Sequence, residues 1–434
     1  MAKRIFLDAL NLSHKQGTGI ATYTRVLAGQ LRGMGHETGL LYSRRSAMPR
    51  GQLAREVVFF DEDEPPNWPL GFTLAAMAFN RLVGLAGAPT RRVDLQNVVL
   101  TEPLGSNWVA ADHYYAAPNV FDRANAFHAI FNRLYAVSFD RRPDLFHWTS
   151  PIPIKARGAA NIYTIHDLVP MRLPYTTLEH KRIYLRTMAS IAKKADHIVT
   201  VSENSRQDII RYLGLDENRV TNTYEAVDIP ASYRDRSMDS VADELAGAFR
   251  LELGRYFLFY GALEPKKNIG RLLQAYLAAN VDMPLVMVLS RSWLSQNEEK
   301  LLGQIDRQDR EPGTQRRILR LDYLPFPMLM TLIRGARGVL FPSLYEGFGL
   351  PVLEAMAMGT PVVTARSSSI PEVAGDACLM VEPYDTDALR DAIIALACDS
   401  DLRADLSSKG LKQAEAHSMA AYRERLAALY KTLM

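Results

Sequence analysis

Two glutamates, Glu346 and Glu354, lie eight residues apart across a glycine-rich turn in the segment Pro342–Glu354, PSLYEGFGLPVLE. Pro351 suits the first turn of a helix, where its missing N–H group costs nothing, and Gly359 suits the end of that helix. The free backbone N–H groups of such a helix start attract anions such as phosphate. Carboxylates beside them can accept hydrogen bonds from hydroxyl groups. A phosphate site next to hydroxyl-binding acids suggests a nucleotide sugar.

The two glutamates alone leave a structural interpretation open, because acids near a helix start often only complement the helix dipole. The longer string favours the functional interpretation. Residues 341–383, FPSLYEGFGLPVLEAMAMGTPVVTARSSSIPEVAGDACLMVEP, closely resemble the signature of retaining glycosyltransferases of family 4, which have the GT-B fold. The resemblance implies that Glu346 contacts the transferred sugar and that Glu354 binds the ribose hydroxyls. The donor-binding backbone positions that it implies are Gly347, Phe348, Gly349 and Leu350.

A pair of lysines follows another apolar strand. The segment Gly261–Asn268, GALEPKKN, comes after Tyr256–Tyr260 and before a helix from about Ile269. Lysines of this kind are usually solvated loop residues. At a strand end facing a cleft they could instead neutralise a diphosphate, which leaves with growing negative charge during sugar transfer. The segment resembles the family's GxLEPRKN element, which implies that Lys267 binds diphosphate, with Lys266 in place of the usual arginine.

The diphosphate clamp departs from the family pattern at one position. Some relatives carry an arginine directly after the glycine, where this chain has Ala262. Arg291 is a candidate for the missing contact, although its neighbours match no family motif.

His166 ends a β-branched and aromatic strand, within the string TIHDLVP. A lone histidine is more often a structural residue than a functional one. The resemblance of Ile162–Pro170 to the family's TIHDLIP element implies that His166 reaches across the cleft to the sugar or the acceptor. Asp167 would instead orient the loop.

A glycine-rich loop with Gly17 and Gly19 follows a short strand at Ile5–Asp8 and precedes a helical pattern. Two glycines at this spacing are weak grounds for a nucleotide site by themselves. The family's GxxxYT element is matched by Gly19, Tyr23 and Thr24. This match implies that the loop approaches the donor phosphate and the acceptor.

No separate catalytic base stands out in the sequence. Retention could proceed through a covalent sugar–enzyme intermediate, which needs a carboxylate on the opposite face of the sugar. The family's usual account is front-face transfer, in which the leaving phosphate takes the acceptor proton and positioning and electrostatics supply most of the rate. We favour this route, with Glu346, His166 and Lys267 as the catalytic groups. No Asp-x-Asp pair suggests a metal-bound nucleotide, so we expect neither metal nor cofactor.

Alternating strands and helices over 434 residues predict an α/β protein of two domains. The resemblance implies a GT-B fold, with two Rossmann-like doubly wound domains facing a central cleft. We assign 1–235 to an N-terminal acceptor-binding domain, with 44–143 as a variable insert region. We assign 236–415 to a C-terminal nucleotide-sugar-binding domain and 416–434 to a helix that crosses back to the first domain.

The region 44–143 contains two apolar stretches, Phe72–Leu85 and Phe121–Phe139, besides an acidic patch at Asp61–Glu64. The second stretch carries apolar residues at helical spacing through Leu134 and Val137, which predicts a helix. Packing on the core is the favoured interpretation of both stretches, and an interfacial face that touches a membrane is the alternative.

The composition, with 48% hydrophobic and 23% charged residues and a net charge of +3, is that of a soluble protein and gives no reason to expect nucleic acid as a partner. Basic pairs such as Lys181–Arg182 and Lys193–Lys194 are expected to be solvated, with attraction to anionic lipid as the alternative. Two cysteines suggest a reducing compartment. The chain shows neither a signal peptide at its start nor an apolar run that would span a membrane. We therefore expect a cytoplasmic protein, with peripheral contact to the inner face of the membrane as an alternative.

The elements GALEPKKN, TIHDLVP and SSSIPEV most resemble mannosyltransferases of bacterial surface polysaccharide synthesis, so GDP-mannose is the expected donor and a glycan or polyprenyl-linked compound the expected acceptor. Another GT-B enzyme, such as a hydrolase, epimerase or phosphorylase, would turn over without a glycan acceptor. A scaffold would bind nucleotide without turnover. An NAD-dependent oxidoreductase is disfavoured because no GxGxxG with a downstream acid is suitably placed.

Overall fold

The computed structural model of the protein describes residues 2–13, 19–45, 48–61, 87–101, 108–292, 296–308 and 317–433. The first-half strands are β1 (Arg4–Asp8), β2 (Glu37–Arg44), β3 (Ala88–Pro89), β4 (Arg91–Val93), β5 (His113–Pro118), β6 (Tyr135–Ser138), β7 (Leu145–Trp148), β8 (Ile154–Ala156), β9 (Ala160–Thr164), β10 (His197–Thr200) and β11 (Val220–Asn222). The α-helices among them are Gly19–Gly33, Gln52–Phe60, Val120–Phe131, Val169–Arg172, Lys181–Lys194 and Glu203–Leu213.

The first sheet has the strand order β11-β10-β9-β7-β1-β2-β5-β4, and its pairs are parallel except for β4 with β5. Its central strands are buried along their whole length, as parallel strands covered by helices on both faces must be. A small parallel sheet, β3-β6-β8, lies beside it. The carboxyl ends of β1, β7 and β9 therefore meet at one edge.

The second-half strands are β12 (Phe257–Leu263), β13 (Leu285–Ser292), β14 (Ile318–Leu321), β15 (Gly338–Phe341), β16 (Val362–Ala365) and β17 (Leu379–Val381). The α-helices there are Ala231–Arg234, Met238–Glu244, Ile269–Ala279, Gln296–Gln308, Phe326–Gly335, Leu350–Ala357, Ile370–Ala374, Thr386–Cys398, Ser400–Glu415 and Met419–Leu433. The sheet is wholly parallel, with the order β14-β13-β12-β15-β16-β17. This is the doubly wound order of a dinucleotide-binding domain.

The strand order of the second sheet reverses between β12 and β15. The chain leaves β12 towards β13 and β14 on one side and returns to β15 on the other. Loops after these two strands diverge, and the crevice between them is the usual ligand site of an open α/β sheet. The lysine segment follows β12 and the glutamate segment follows β15.

The predicted fold class is confirmed, since both halves are parallel α/β sheets covered by helices. Ser202 caps the helix Glu203–Leu213, because its side chain accepts a hydrogen bond from the Ser205 N–H. The C-terminal helix predicted within 416–434 is confirmed and runs from Met419 to Leu433.

The predicted helix over Phe121–Phe139 is wrong in its second half. The helix ends at Phe131, because Asn132 adopts a left-handed conformation with φ 51° and closes the last turn. The chain then forms β6, which pairs with β8 and places Val137 in the core. Asn132 was a local signal for the end of the helix, and a prediction from apolar spacing alone did not take it into account.

Residues of the region 44–143 belong to the first sheet, because β5 pairs with β2 and β4 pairs with β5. Glu56 is buried and its carboxylate accepts hydrogen bonds from the backbone N–H groups of Gln96, Val98 and Val99. The stretch Phe72–Leu85 and most of the acidic patch lie outside the described residues.

The helix Met419–Leu433 follows the second domain in the chain and packs on the first. Tyr430 shares a hydrogen bond of 2.6 Å with His147 Nδ1 on β7. Arg423 Nε donates a hydrogen bond of 2.7 Å to Gln30 Oε1 on the helix Gly19–Gly33. The final helix thereby ties the two domains together.

Across the described ranges, we found no helix with the length and apolarity that a membrane crossing requires.

Candidate active site

The centre of the candidate site is a buried cluster of one carboxylate and two ammonium groups. Lys267 Nζ lies 2.7 Å from Glu346 Oε1, and Lys266 Nζ lies 3.9 Å from Glu346 Oε2. The lysines follow β12 and the glutamate follows β15, so the strand reversal brings them together. Only 8% of the Glu346 side chain and 10% of the Lys267 side chain are exposed, so this pair is shielded from water.

The charges of this cluster stabilise one another. Burial raises the pKa of Glu346, but the positive charges of Lys267 and Lys266 outweigh it, and the pKa lies below its usual value. Burial lowers the pKa of Lys266, but the carboxylates of Glu346, Glu264 and Asp167 outweigh it and the pKa is raised. The two ammonium groups outnumber the one carboxylate that they both contact, and they are the groups that could bind a diphosphate.

Glu354 has a different environment, although it lies only one turn inside the helix Leu350–Ala357. Its Oε2 lies 3.0 Å from the hydroxyl of Tyr260, which is also 2.8 Å from the Pro351 carbonyl. Burial raises the pKa of Glu354 to about 7, the Tyr260 hydrogen bond opposes this, and the negative charge of Glu225 adds to it. Near neutral pH this carboxyl group can therefore be protonated or ionised.

The helix Leu350–Ala357 begins without a side-chain cap. Gly349, at its N-cap, has φ 108°, and a Cβ there would lie 2.6 Å from Ile370 Cδ1. Ser369 Oγ lies within hydrogen-bonding distance of the Glu346 and Phe348 carbonyls, at 3.0 and 2.8 Å, and so fixes the turn before the helix. Pro351 carries no N–H, and the N–H groups of Val352 and Leu353 donate to the Gly349 carbonyl at 3.0 and 3.2 Å, so an anion at this helix start would be met by the backbone N–H groups before Pro351.

Gly347 of the second domain lies close to the backbone of His166 in the first. A Cβ at Gly347 would lie 2.9 Å from the His166 carbonyl oxygen and 3.0 Å from Asp167 Oδ2. Any larger side chain would force these groups apart. At Gly19, a Cβ would lie 3.7 Å from Leu350 Cδ1, so the start of the first helix also faces the glutamate segment.

His166 lies on the first-domain side of the cleft with its ring engaged by the protein. Its Nδ1 is 3.3 Å from Glu225 Oε1 and its Nε2 is 3.0 Å from the Thr149 carbonyl oxygen. Tyr23 packs edge-on against the ring, with 4.8 Å between ring centroids. Asp167 accepts a hydrogen bond from the Val169 N–H and so orients the following loop.

The sequence did not single out Glu225 or Tyr260, although both reach the site. Glu225 follows β11 outside any quoted motif, and its contact with His166 spans 59 positions of the chain. The sequence analysis assigned Tyr260 only to a strand. Its position directly before Gly261 and the lysine segment was a signal that its side chain lies at the strand end, next to the site. Gly17 and the side chain of Arg291 lie outside the described residues.

The chemistry of the described residues is that of an anion and polyol site. No three His, Cys, Asp or Glu side chains in the described part of the chain come together as a metal site. Buried positive charge lies beside a free helix start, and two carboxyl groups in different environments flank it.

Two family models match the chain. "Glycosyltransferase Family 4" matches residues 85–229, and "Glycosyl transferases group 1" matches residues 249–413. The first match begins within the region 44–143, which the motifs had left uncovered.

Similar proteins fall in the same class. The O-antigen chain mannosyltransferase B of Escherichia coli is 35% identical over 263 residues, which cover 59% of this chain and 66% of that protein. The serotype-specific mannosyltransferase WbdA of Escherichia coli is 28% identical over 66% of this chain and 35% of its own length. The chain thus spans about two thirds of the first relative and about a third of the second.

The fold has solved counterparts. HepE from Anabaena, solved in complex with UDP and glucose, superimposes with a TM-score of 0.63 at 15% identity, over 99% of this chain and 100% of that one. Two facing Rossmann-like domains with the site between them define a GT-B protein. The chain belongs to glycosyltransferase family 4, and among its relatives are the O-antigen mannosyltransferases.

Proposed function

We propose that this protein is a retaining glycosyltransferase that moves mannose from GDP-mannose to a glycan or lipid-linked acceptor in the synthesis of a surface polysaccharide. The observation that carries the proposal is the buried Glu346–Lys267–Lys266 cluster at the strand reversal of the second sheet. Mannose is proposed because the relatives named above are mannosyltransferases.

The positive side of the cluster suits the leaving group. As the bond between sugar and diphosphate breaks, negative charge grows on the phosphate oxygens. Lys267 and Lys266, already desolvated and held by Glu346, can stabilise this charge without rearranging. The N–H groups at the start of the helix Leu350–Ala357 would add to this stabilisation.

The two glutamates would bind different parts of the donor. Glu346, ionised and nearest the lysines, would accept hydrogen bonds from the hydroxyls of the transferred sugar. Glu354, beside Tyr260, would accept hydrogen bonds from the ribose. In front-face transfer the leaving phosphate oxygen takes the acceptor proton, so the protein needs to supply only position and charge.

Donor binding and turnover test the proposal together. The purified protein would be mixed separately with GDP-mannose, UDP-glucose, UDP-N-acetylglucosamine and dTDP-rhamnose, followed by thermal shift and nucleotide release. We expect GDP-mannose to stabilise the protein and Glu354→Ala to abolish the stabilisation. The anomeric configuration of the product, read by NMR, tests retention. Stabilisation by none of the four donors would contradict the proposal, and release without an acceptor at the full rate would favour a hydrolase.

We further propose peripheral contact with an anionic membrane through the helix Lys181–Lys194 and the turn before it. This helix carries five basic residues and no acidic one. Tyr175 and Leu178 are each 67% exposed, and Leu185 is 45% exposed. The turn adds one acidic residue, Glu179, so the surface still has an excess of positive charge. Exposed apolar side chains beside an excess of positive charge are the features that bind anionic lipid surfaces.

Vesicle binding tests this surface. We expect the protein to sediment with phosphatidylglycerol vesicles at low salt and to be released by salt or by the double substitution Arg182→Glu and Arg186→Glu. The matched control is Lys412→Glu, which changes a charge on the helix Ser400–Glu415 of the second domain. Equal binding of both variants, or equal binding to phosphatidylcholine vesicles, would contradict the proposal.

A further inference from the structure

The two ring nitrogens of His166 each face a group that only accepts hydrogen bonds. Nδ1 faces the carboxylate of Glu225 at 3.3 Å, and Nε2 faces the backbone carbonyl of Thr149 at 3.0 Å. A neutral imidazole carries one N–H, so one nitrogen lone pair would face an acceptor oxygen. With Glu225 ionised, only the doubly protonated imidazolium satisfies both contacts.

His147 shows what a neutral buried histidine looks like in the same domain. Its nitrogens face the hydroxyls of Tyr430 and Thr164, at 2.6 and 2.7 Å. Hydroxyls can donate or accept, so a neutral ring is fully satisfied there. Burial lowers the pKa of His147 to about 3, and the charge of His166 adds to this.

Glu225 supplies the negative charge that a buried, positively charged His166 needs as its partner. The side chains of His166 and Glu225 are 13% and 8% exposed, and a buried cation is costly unless it is paired. Burial lowers the pKa of His166, but the hydrogen bond and charge of Glu225 outweigh it and the pKa is raised.

The other groups around the ring leave Glu225 as its main partner. Asp167 adds a smaller effect in the same direction, and the Tyr23 ring packs edge-on. The Thr149 carbonyl accepts from Nε2. His147 is neutral at ordinary pH because its pKa is lowered, so it does not repel a charged His166.

The turn before Glu225 fixes the position of Glu225 beside His166. Tyr224 has φ 56°, a conformation that costs free energy for a residue other than glycine. Asn222 Oδ1 accepts a hydrogen bond of 2.8 Å from the Tyr224 N–H and holds this turn. Glu225 is thereby held beside His166, and its charge also raises the pKa of Glu354 in the second domain.

We propose that Glu225 is a positioning residue that keeps His166 as an imidazolium in the first-domain wall of the cleft, facing the Glu346 segment. The proposal rests on the proposed transferase function. A fixed positive charge there would assist the departure of the diphosphate from the side opposite the lysines. His166 would act through its charge, with both nitrogens held by the protein.

Histidine NMR tests the pair without any need for turnover. The full chain would be labelled with ¹³C at histidine Cε1, and His166→Asn would assign the His166 signal. We expect His166 to titrate about one to three pH units lower in Glu225→Gln than in the parent protein. Glu217→Gln, which removes an exposed carboxylate near the same strand, is the matched control and should change nothing.

The pH dependence of turnover tests the consequence. We expect the alkaline limb of the Glu225→Gln rate profile to move to lower pH, with near-parental rates at low pH, and Glu225→Asp to lie between. A purely structural role would reduce the rate equally at every pH, and that result, or an unchanged His166 titration, would overturn the proposal. Absence of turnover in the parent protein would count against the transferase function, and the NMR titration would still decide the pair.

Discussion

The carboxylate of Glu372 in the second domain caps the first-domain helix that begins at Glu203. Glu372 Oε2 accepts a hydrogen bond of 2.8 Å from the Glu203 N–H, and Oε1 accepts one of 2.9 Å from the Asn204 N–H. Beside it, the Tyr345 hydroxyl donates to Asp208 Oδ2 at 2.7 Å. A negative charge at a helix start is favourable, so these contacts hold the two domains together next to the lysine cluster.

Loss of this cap should loosen the cleft. For Glu372→Ala we expect a several-fold rise in the donor KM and a larger radius of gyration by small-angle X-ray scattering, because two helix N–H groups lose their partner, at about 1 kcal/mol. Glu382→Ala, an exposed neighbour 69% accessible, is the control and should behave as the parent. An unchanged KM and scattering profile would show that the cap does not hold the domains.

The carboxylate of Glu346 should be essential to the rate. In Glu346→Gln the shape is kept, but Lys267 loses its 2.7 Å ion pair, and in the proposed role the transferred sugar would meet a neutral amide oxygen in place of a carboxylate. We expect kcat to fall about 100- to 1000-fold, the scale of losing one transition-state contact. The control is Glu415→Gln, an exposed residue at the end of the helix Ser400–Glu415. Parental kcat in Glu346→Gln would rule out the role proposed for this residue.

Removal of Lys267 should weaken both the donor site and the fold. Lys267→Ala leaves Glu346 with only the 3.9 Å contact to Lys266 in a buried place. We expect a loss of stability of about 3 kcal/mol, as for a broken buried ion pair, and a donor Kd raised at least tenfold. Chemical denaturation and calorimetric titration measure the two effects. Lys412→Ala should leave both values unchanged, and parental donor affinity in Lys267→Ala would contradict the assignment.

The raised pKa of Glu354 predicts a dependence on pH. The folded protein holds this proton up to about pH 7, whereas the unfolded chain releases it near 4.5, so stability falls as pH rises from 4.5 through 7. Glu354→Gln should remove the fall and raise the free energy of unfolding at pH 8 by about 3 kcal/mol. Urea unfolding of both proteins at pH 5 and 8 measures it. An equal pH dependence in both proteins would show that Glu354 titrates normally.

The contact between Tyr430 and His147 should contribute to stability. Tyr430→Phe leaves His147 Nδ1 buried without its 2.6 Å partner, a loss of about 1 to 3 kcal/mol. Thermal unfolding should show a lower Tm, with Tyr323→Phe, 47% exposed, as the control. If the two variants had the same Tm, the final helix would owe its position to packing alone.

Much of the fold could be predicted from the sequence. The strand predicted at Ile5–Asp8 is β1, Arg4–Asp8, and the helix predicted within 416–434 runs from Met419 to Leu433. These elements follow from local periodicity, which the chain carries whatever surrounds it. The prediction failed at Leu134 and Val137, because apolar residues at helical spacing also fit a short buried strand, and sheet pairing decided between the two.

The site motifs are likewise local, since each lies within one short segment of the chain. They are sufficient to place Lys267, Glu346 and Glu354 in one nucleotide-binding domain. The different environments of these residues cannot be read from the sequence. Glu346 faces two lysines and has a lowered pKa, whereas Glu354 lies beside a tyrosine and has a raised pKa.

The sequence by itself determined the class of fold, the helix start and the charged groups near it. Only the tertiary structure decided that Glu225 pairs with His166, that Tyr260 meets Glu354 and that Glu372 caps a helix of the other domain. These contacts join residues 59, 94 and 169 positions apart, and they depend on strand order and on how the two domains face each other. Local patterns cannot encode such pairings, because partners distant in the chain meet only when the sheets have packed.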